Sequence, residues 1–89
     1  MRVVRIQTDV RFEKRYRKLP NMIKESAKEK ETLFRSDPFH PSLETHKLHG
    51  VDKDVWAFSI NRKYRIKFLF LAAGTVLFLD IGKHDDVYR

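Results

Sequence analysis

The chain has 89 residues, 19 of them Lys or Arg and 12 Asp or Glu, for a net charge of +7, and it has no cysteine. That length supports one domain, expected over residues 1–89, able to remove only about 60% of its unfolded surface from water. Disulfides and thiolate catalysis are excluded, so packing of the seven Phe, Trp56 and the aliphatic residues must hold the fold, and a reducing, cytoplasmic setting is expected. Charges within residues 1–10 argue against a secretory signal, and the longest apolar run, 68–74, is too short to span a bilayer. The excess of cations points to a polyanionic partner: RNA, DNA or an acidic protein.

The opening MRVVRIQT, with Val3, Val4 and Ile6 among charges, predicts a short first strand, and Thr8 or Asp9 is placed to cap the next element. In DVRFEKRYRKL, Val10, Phe12, Tyr16 and Leu19 fall at near-helical spacing between charged residues, the pattern of a surface helix. Pro20 closes that helix or opens the next. NMIKESAKEKETLFRS lacks Gly and Pro and predicts a second helix with a stripe of Ile23, Ala27 and Phe34, flanked by Met22 and Leu33. Together the two make an αα-hairpin. DPFHPSLETHKLHGVDKD, punctuated by Pro38, Pro41 and Gly50, predicts a loop. A loop that long in so small a domain either carries function or packs on the core.

Three strands are expected after it. VWAFSI alternates Trp56, Phe58 and Ile60 with Val55, Ala57 and Ser59; NRK turns the chain; YRIKFLFL alternates Tyr64, Ile66, Phe68 and Phe70 with Arg65, Lys67, Leu69 and Leu71. After a second turn at Gly74, TVLFLDI is apolar on both faces as far as Asp80, as an inner strand is. The expected class is α+β: an N-terminal strand, a two-helix hairpin, then a three-stranded antiparallel meander, with the helices packed on one sheet face. Side chains alternate along a strand. If the Tyr64–Ile66–Phe68–Phe70 set faces the helices with Trp56, Phe58 and Ile60, then Arg65 and Lys67 stand on the opposite, open face. The strand beside them leads to His84.

HKLHG, WAFSINRKYRIKF and FLDIGKHDDVY together resemble the RelE/ParE superfamily of bacterial and archaeal toxins, and within it the RelE/YafQ-like branch. The resemblance spans nearly the whole chain; the C-terminal half carries the specific motifs, and the N-terminal half matches in element order. It implies a RelE-like toxin of a type II toxin–antitoxin system, monomeric within a complex with a cognate acidic antitoxin and without membrane attachment. For many members it also implies ribosome-dependent cleavage of mRNA, a metal-independent endoribonuclease activity that inhibits translation, with mRNA and ribosomal RNA as partners. Two alternatives stay open: a ParE-like inhibitor of DNA gyrase, and a degenerate toxin that only binds RNA or its antitoxin.

Residue by residue, Arg65 falls where family members carry a phosphate-holding arginine, and His84 where they carry a histidine or arginine near the end of the final strand. Tyr88 resembles the C-terminal tyrosine of RelE, two residues closer to the glycine, and His46 resembles a histidine of the YafQ branch. Ala57 and Ser59 stand where RelE carries catalytic lysines. Ser59 and Lys63 stand where YafQ carries a histidine and an aspartate.

Metal-independent RNA cleavage needs a base for the 2′-OH, cations for the crowded phosphate, and an acid for the leaving 5′-oxygen. His84 is the first candidate acid or base, since imidazole titrates near neutrality, with Asp85 or Asp86 beside it to orient the ring; the same residues also read as a solvated surface cluster. Arg65 is the candidate phosphate grip, with Lys67 adding charge. Arg62 and Lys63, at a hairpin tip, are candidate contacts to RNA backbone. His46, with Lys47 and His49, reads first as part of a polar loop that packs Leu48 inward and second as another acid/base group. Tyr88 reads equally as a stacking partner for a base and as a cap on the core. Lys47, Lys83 and Arg15 complete the candidate RNA-binding set, the last within a cationic helix that also bears Arg11, Lys14, Arg17 and Lys18. His40, His46, His49 and His84 lack the spacing of a zinc site, so no metal or other cofactor is expected. The cationic face beside Leu69 and Leu71 suits an acidic, amphipathic antitoxin segment.

Overall fold

The computed structural model describes residues 2–50 and 54–84. Strand β1 (Arg5–Thr8) leads into helix α1 (Val10–Arg17) and helix α2 (Asn21–Ser36). A 3-10 turn (Pro41–Leu43) and a two-residue strand, β2 (His46–Lys47), precede β3 (Trp56–Ser59), β4 (Tyr64–Ala72) and β5 (Thr75–Lys83). The sheet runs in the order β1-β5-β4-β3-β2. β1 lies parallel to β5, and the other neighbours are antiparallel.

Local chemistry sets the boundaries. Asp9 caps α1, its carboxylate accepting from the Arg11 N–H at 2.9 Å. Pro20 sits at the N-cap of α2, with its carbonyl taking the N–H groups of Ile23 and Lys24. The β3–β4 turn is held by Asn61, whose side-chain oxygen accepts from the N–H of Lys63 and of Tyr64, both at 2.8 Å. At the β4–β5 turn Gly74 adopts φ +77°, and an added Cβ there would lie 3.3 Å from Val4 Cγ2.

Phe34 of α2 anchors the core. It is fully buried, stacked on Phe58 at 4.4 Å between ring centroids, and edge-on to Phe68 and Phe78 at 5.0 and 5.9 Å. Phe12 of α1 meets Phe78 at 5.3 Å. Ile60, Ile66 and Ile81 complete the helix-facing side, with Trp56, Tyr64 and Phe70 packed at its margin. The alternation expected of β3 and β4 is the one found.

The architecture departs from expectation in a few places. The first strand starts at Arg5; Val3 enters the core ahead of it while Val4 is exposed. The 37–54 segment is not all loop. Leu43 is fully buried there, the 3-10 turn is capped by His40 Nδ1 accepting from the Ser42 N–H, and β2 adds a fifth strand to the four expected. Met22 and Val10 are exposed, because Met22 is one residue, about 100°, from Ile23 and Val10 is two residues, about 200°, from Phe12.

One irregularity sets the phase of β5. Phe68 pairs with Phe78, yet Lys67 pairs with Asp80, so Leu79 is an extra residue on β5. Without it, Asp80 would take the core side and Ile81 the open side. With it, Ile81 is fully buried in the core, and Asp80 and Gly82 fall opposite Lys67 and Arg65.

Candidate functional site

The open face is organised in rows across the strands. His46, Ala57, Lys67 and Asp80 form one row through successive pairings. Ser59, Arg65 and Gly82 form the next. Beyond it the His84 N–H donates to the Lys63 carbonyl at 2.8 Å, so His84 lies two positions past Gly82 and beside the turn. In the other direction Leu69 pairs with Leu77, and Leu71 is half exposed, so the face grades from cationic to apolar.

Arg65 is half-buried and bent toward the β3–β4 turn. Its Nη1 donates to the carbonyls of Asn61 (2.8 Å), Tyr64 (3.1 Å) and Arg62 (3.2 Å). One guanidinium nitrogen is thereby committed to the turn, in a group that has donors left over. The turn itself presents Arg62 and Lys63, both exposed.

The residue that sequence reasoning missed here is Glu44. Its backbone is left-handed at φ +50°, unusual for a residue with a Cβ. Its Oε1 accepts from Ser59 Oγ at 3.2 Å, and Ser59 is the residue paired with Arg65. A cavity of about 350 Å³ opens there between Glu44, Ser59, Asn61, Arg62, Ser42 and Lys30. With this left-handed angle the carboxylate reaches Ser59 in the Arg65 row, and no periodicity in the sequence announces it.

His46 is exposed, and its Nδ1 lies 2.9 Å from the Glu44 carbonyl. A carbonyl only accepts, so in the neutral ring that contact puts the proton on Nδ1 and the lone pair on Nε2. Other candidates are not gathered with these. Lys47 pairs across from Trp56, on the helix side, and its Nζ reaches Asp54 at 3.4 Å. Lys83 pairs across from Tyr64, likewise on the helix side. Arg15, on α1, does reach the Lys67 row, its Nη1 lying 3.4 Å from Asp80. Tyr88, Asp85 and Asp86 lie outside the described residues. Among the described residues no three His, Asp or Glu side chains cluster as a metal site, and no helix is long and apolar enough to cross a membrane.

No protein-family model and no curated protein matches the sequence. Solved structures do. A YoeB/ParE toxin from Agrobacterium tumefaciens superposes with a TM-score of 0.76 at 13% identity, covering 91% of this chain and 99% of that one. YafQ from E. coli strain BL21(DE3) gives 0.69 at 14% identity, covering 94% and 97%. The toxin within the intact E. coli RelBE toxin–antitoxin complex gives 0.68 at 24% identity, covering 88% and 93%. The chain therefore has the two-helix, mixed-sheet fold of RelE/ParE-like toxins, as the sequence motifs led one to expect.

Proposed function

We propose that this protein is the toxin of a type II toxin–antitoxin pair and acts as a metal-independent endoribonuclease on ribosome-bound mRNA. The fold is that of proteins described as toxins, one of them in complex with its antitoxin. The observation that carries the nuclease reading is the extra residue at Leu79, which brings β5 into phase so that Gly82 lies opposite Arg65. His84 follows directly on β5, its N–H on the Lys63 carbonyl, next to the turn on which that guanidinium rests.

The chemistry follows from the rows. The Glu44 carboxylate takes the proton of the 2′-OH, and the freed oxygen attacks the adjacent phosphorus. Arg65 and Lys67 neutralise the charge gathering on the phosphoryl oxygens. The bond from phosphorus to the 5′-oxygen breaks, and His84 donates a proton to that oxygen. The products are a 2′,3′-cyclic phosphate and a 5′-hydroxyl. His46, one row on, is the second acid/base group of the face, and Arg62 and Lys63 meet backbone phosphates. The apolar end of the face, Leu69, Leu71 and Leu77, with the cations beside it, is the seat for an acidic, amphipathic antitoxin segment.

A second reading, a toxin that binds without cutting, is favoured by one observation: Ala57 and Ser59 are buried and bring no cation to β3. Primer extension on mRNA after induction, with wild type beside His84→Ala and Arg65→Ala, decides between them. Cleavage by wild type that both variants lose supports the nuclease. Translation arrest with uncut mRNA selects the binding module, and intact mRNA with damaged DNA selects inhibition of DNA gyrase.

A further inference from the structure

Asp80 is an acidic residue on a cationic face, and it is 5% exposed. β1 ends at Thr8, paired with Phe78, and the chain turns there into α1, the Asp9 N–H donating to the Phe78 carbonyl. From Leu79 onward the neighbour of β5 on that side is therefore α1. Across this seam Asp80 Oδ2 lies 3.4 Å from Arg11 Nε, and Oδ1 lies 3.4 Å from Arg15 Nη1 while accepting the Ile81 N–H at 2.9 Å. The two arginines are one helical turn apart, and their side chains are 68% and 37% exposed. Lys67 is the cross-strand partner of Asp80. A cavity of about 220 Å³ opens between Arg11, Lys67, Asp80 and Asp9, with Val55 and Leu79 as its apolar walls.

The geometry points to a second anion subsite at this seam, built to take a phosphate of a single RNA strand one row beyond the Arg65–Gly82 row, with the attached nucleoside over Val55 and Leu79. A guanidinium carries five N–H donors, and the contact with Asp80 uses one nitrogen of each arginine. The buried carboxylate fixes the remaining donors in direction, so fewer side-chain rotors are frozen when a phosphate arrives. Asp80 is thus a positioning residue, and Arg11 and Arg15 are the contacts. The rows lie two residues apart, about 7 Å along the strands, so one extended strand engages both. An acidic peptide lacks the nucleoside that the Val55–Leu79 wall would cover, which favours nucleic acid. The subsite rests on the proposal that the open face binds RNA.

The test uses the full chain and a short single-stranded RNA made 2′-O-methyl throughout, so that it cannot be cut, with affinity followed against salt. Arg11→Gln with Arg15→Gln is expected to flatten the salt slope by about 0.7 if they share a phosphate and about 1.4 if they hold two. Asp80→Asn supplies the sharper result. It raises the net charge by one, so attraction by charge alone tightens RNA binding, whereas a positioning role weakens it severalfold. Circular dichroism establishes that the Asn variant is folded; should it not be, the arginine variants decide alone. A folded Asp80→Asn that binds as tightly as wild type or more tightly overturns the subsite, as does an unchanged slope in the arginine variants. Variants that lose affinity for a polyglutamate peptide while keeping it for RNA overturn it in favour of a protein partner. Wild type that fails to bind the RNA overturns this inference, whereas the function proposed above is overturned by uncut mRNA in primer extension; wild type that binds, beside indifferent variants, removes the seam alone.

Discussion

Arg65→Ala separates what this arginine does for the fold from the role in cleavage proposed for it. In the folded chain one nitrogen is shared among three carbonyls, and two of the three hydrogen bonds are solvent-exposed. A hydrogen bond from a charged donor contributes about 1.5–3 kcal/mol net. Here water takes over the exposed Asn61 and Arg62 carbonyls once the side chain is gone, so the lower end applies, about 1.5 kcal/mol. At about 0.05–0.15 kcal/mol per residue a chain of this length has roughly 4–13 kcal/mol in total, so the variant stays folded. Each kcal/mol moves the melting temperature of so small a domain by about 4–8 °C, which predicts a fall of about 6–12 °C. Loss of a donor to the transition-state phosphate costs about 10²–10³ in rate. Thermal melts by circular dichroism and cleavage assays on programmed ribosomes, run below the lowered melting temperature, read the two effects separately. Arg65→Lys keeps the charge and loses the planar fork, so it is expected to regain stability ahead of activity. An unchanged melting temperature refutes the account of the turn, and full cleavage by a folded Arg65→Ala refutes the phosphate role.

Other substitutions probe other links. Phe34→Ala removes the ring on which Phe58, Phe68 and Phe78 converge and is expected to cost about 3–5 kcal/mol, read as a lowered urea midpoint. Glu44→Gln keeps an oxygen for the Ser59 hydroxyl but cannot take a proton; cleavage should drop by about 10²–10⁴ with an unchanged melt, and undiminished cleavage would remove Glu44 from the mechanism. Gly74→Ala forces a left-handed angle on a residue with a Cβ and crowds Val4, for an expected loss of about 1–2 kcal/mol, measured by thermal melting.

The sequence made the helix-facing side of this molecule readable because its signals are local and periodic. Ile23, Ala27 and Phe34 mark one face of α2, and Tyr64, Ile66, Phe68 and Phe70 mark one face of β4. The open face was legible only as the complement of that pattern, which sufficed for Arg65 and Lys67. What escaped depends on pairing between distant segments. β2 has two residues, too few for any period, and is a strand only because β3 lies beside it. The extra residue at Leu79 leaves no mark in TVLFLDI, which is apolar on both faces whatever its phase. Asp80 therefore read as the end of an apolar run, whereas it joins Arg11 and Arg15 across the seam. Glu44 reaches Ser59 through a single backbone angle. Lys47 and Lys83 were grouped with the other cations by charge, and the register assigns them to the other side.

The parallel union of β1 with β5 also bears on how the molecule comes into being. Arg5 must wait for Thr75, and Thr8 for Phe78, before either finds its backbone partner. Such remote pairings form slowly, since a long stretch of chain has to be drawn together first. During synthesis the initial strand emerges with nothing to lie against, while the helices and the β3–β4 hairpin take shape from near neighbours. The sheet closes only after β5 has cleared the exit tunnel, and that same strand carries Gly82 and leads to His84. Until then Arg65 has no Gly82 opposite it, and the open face is incomplete.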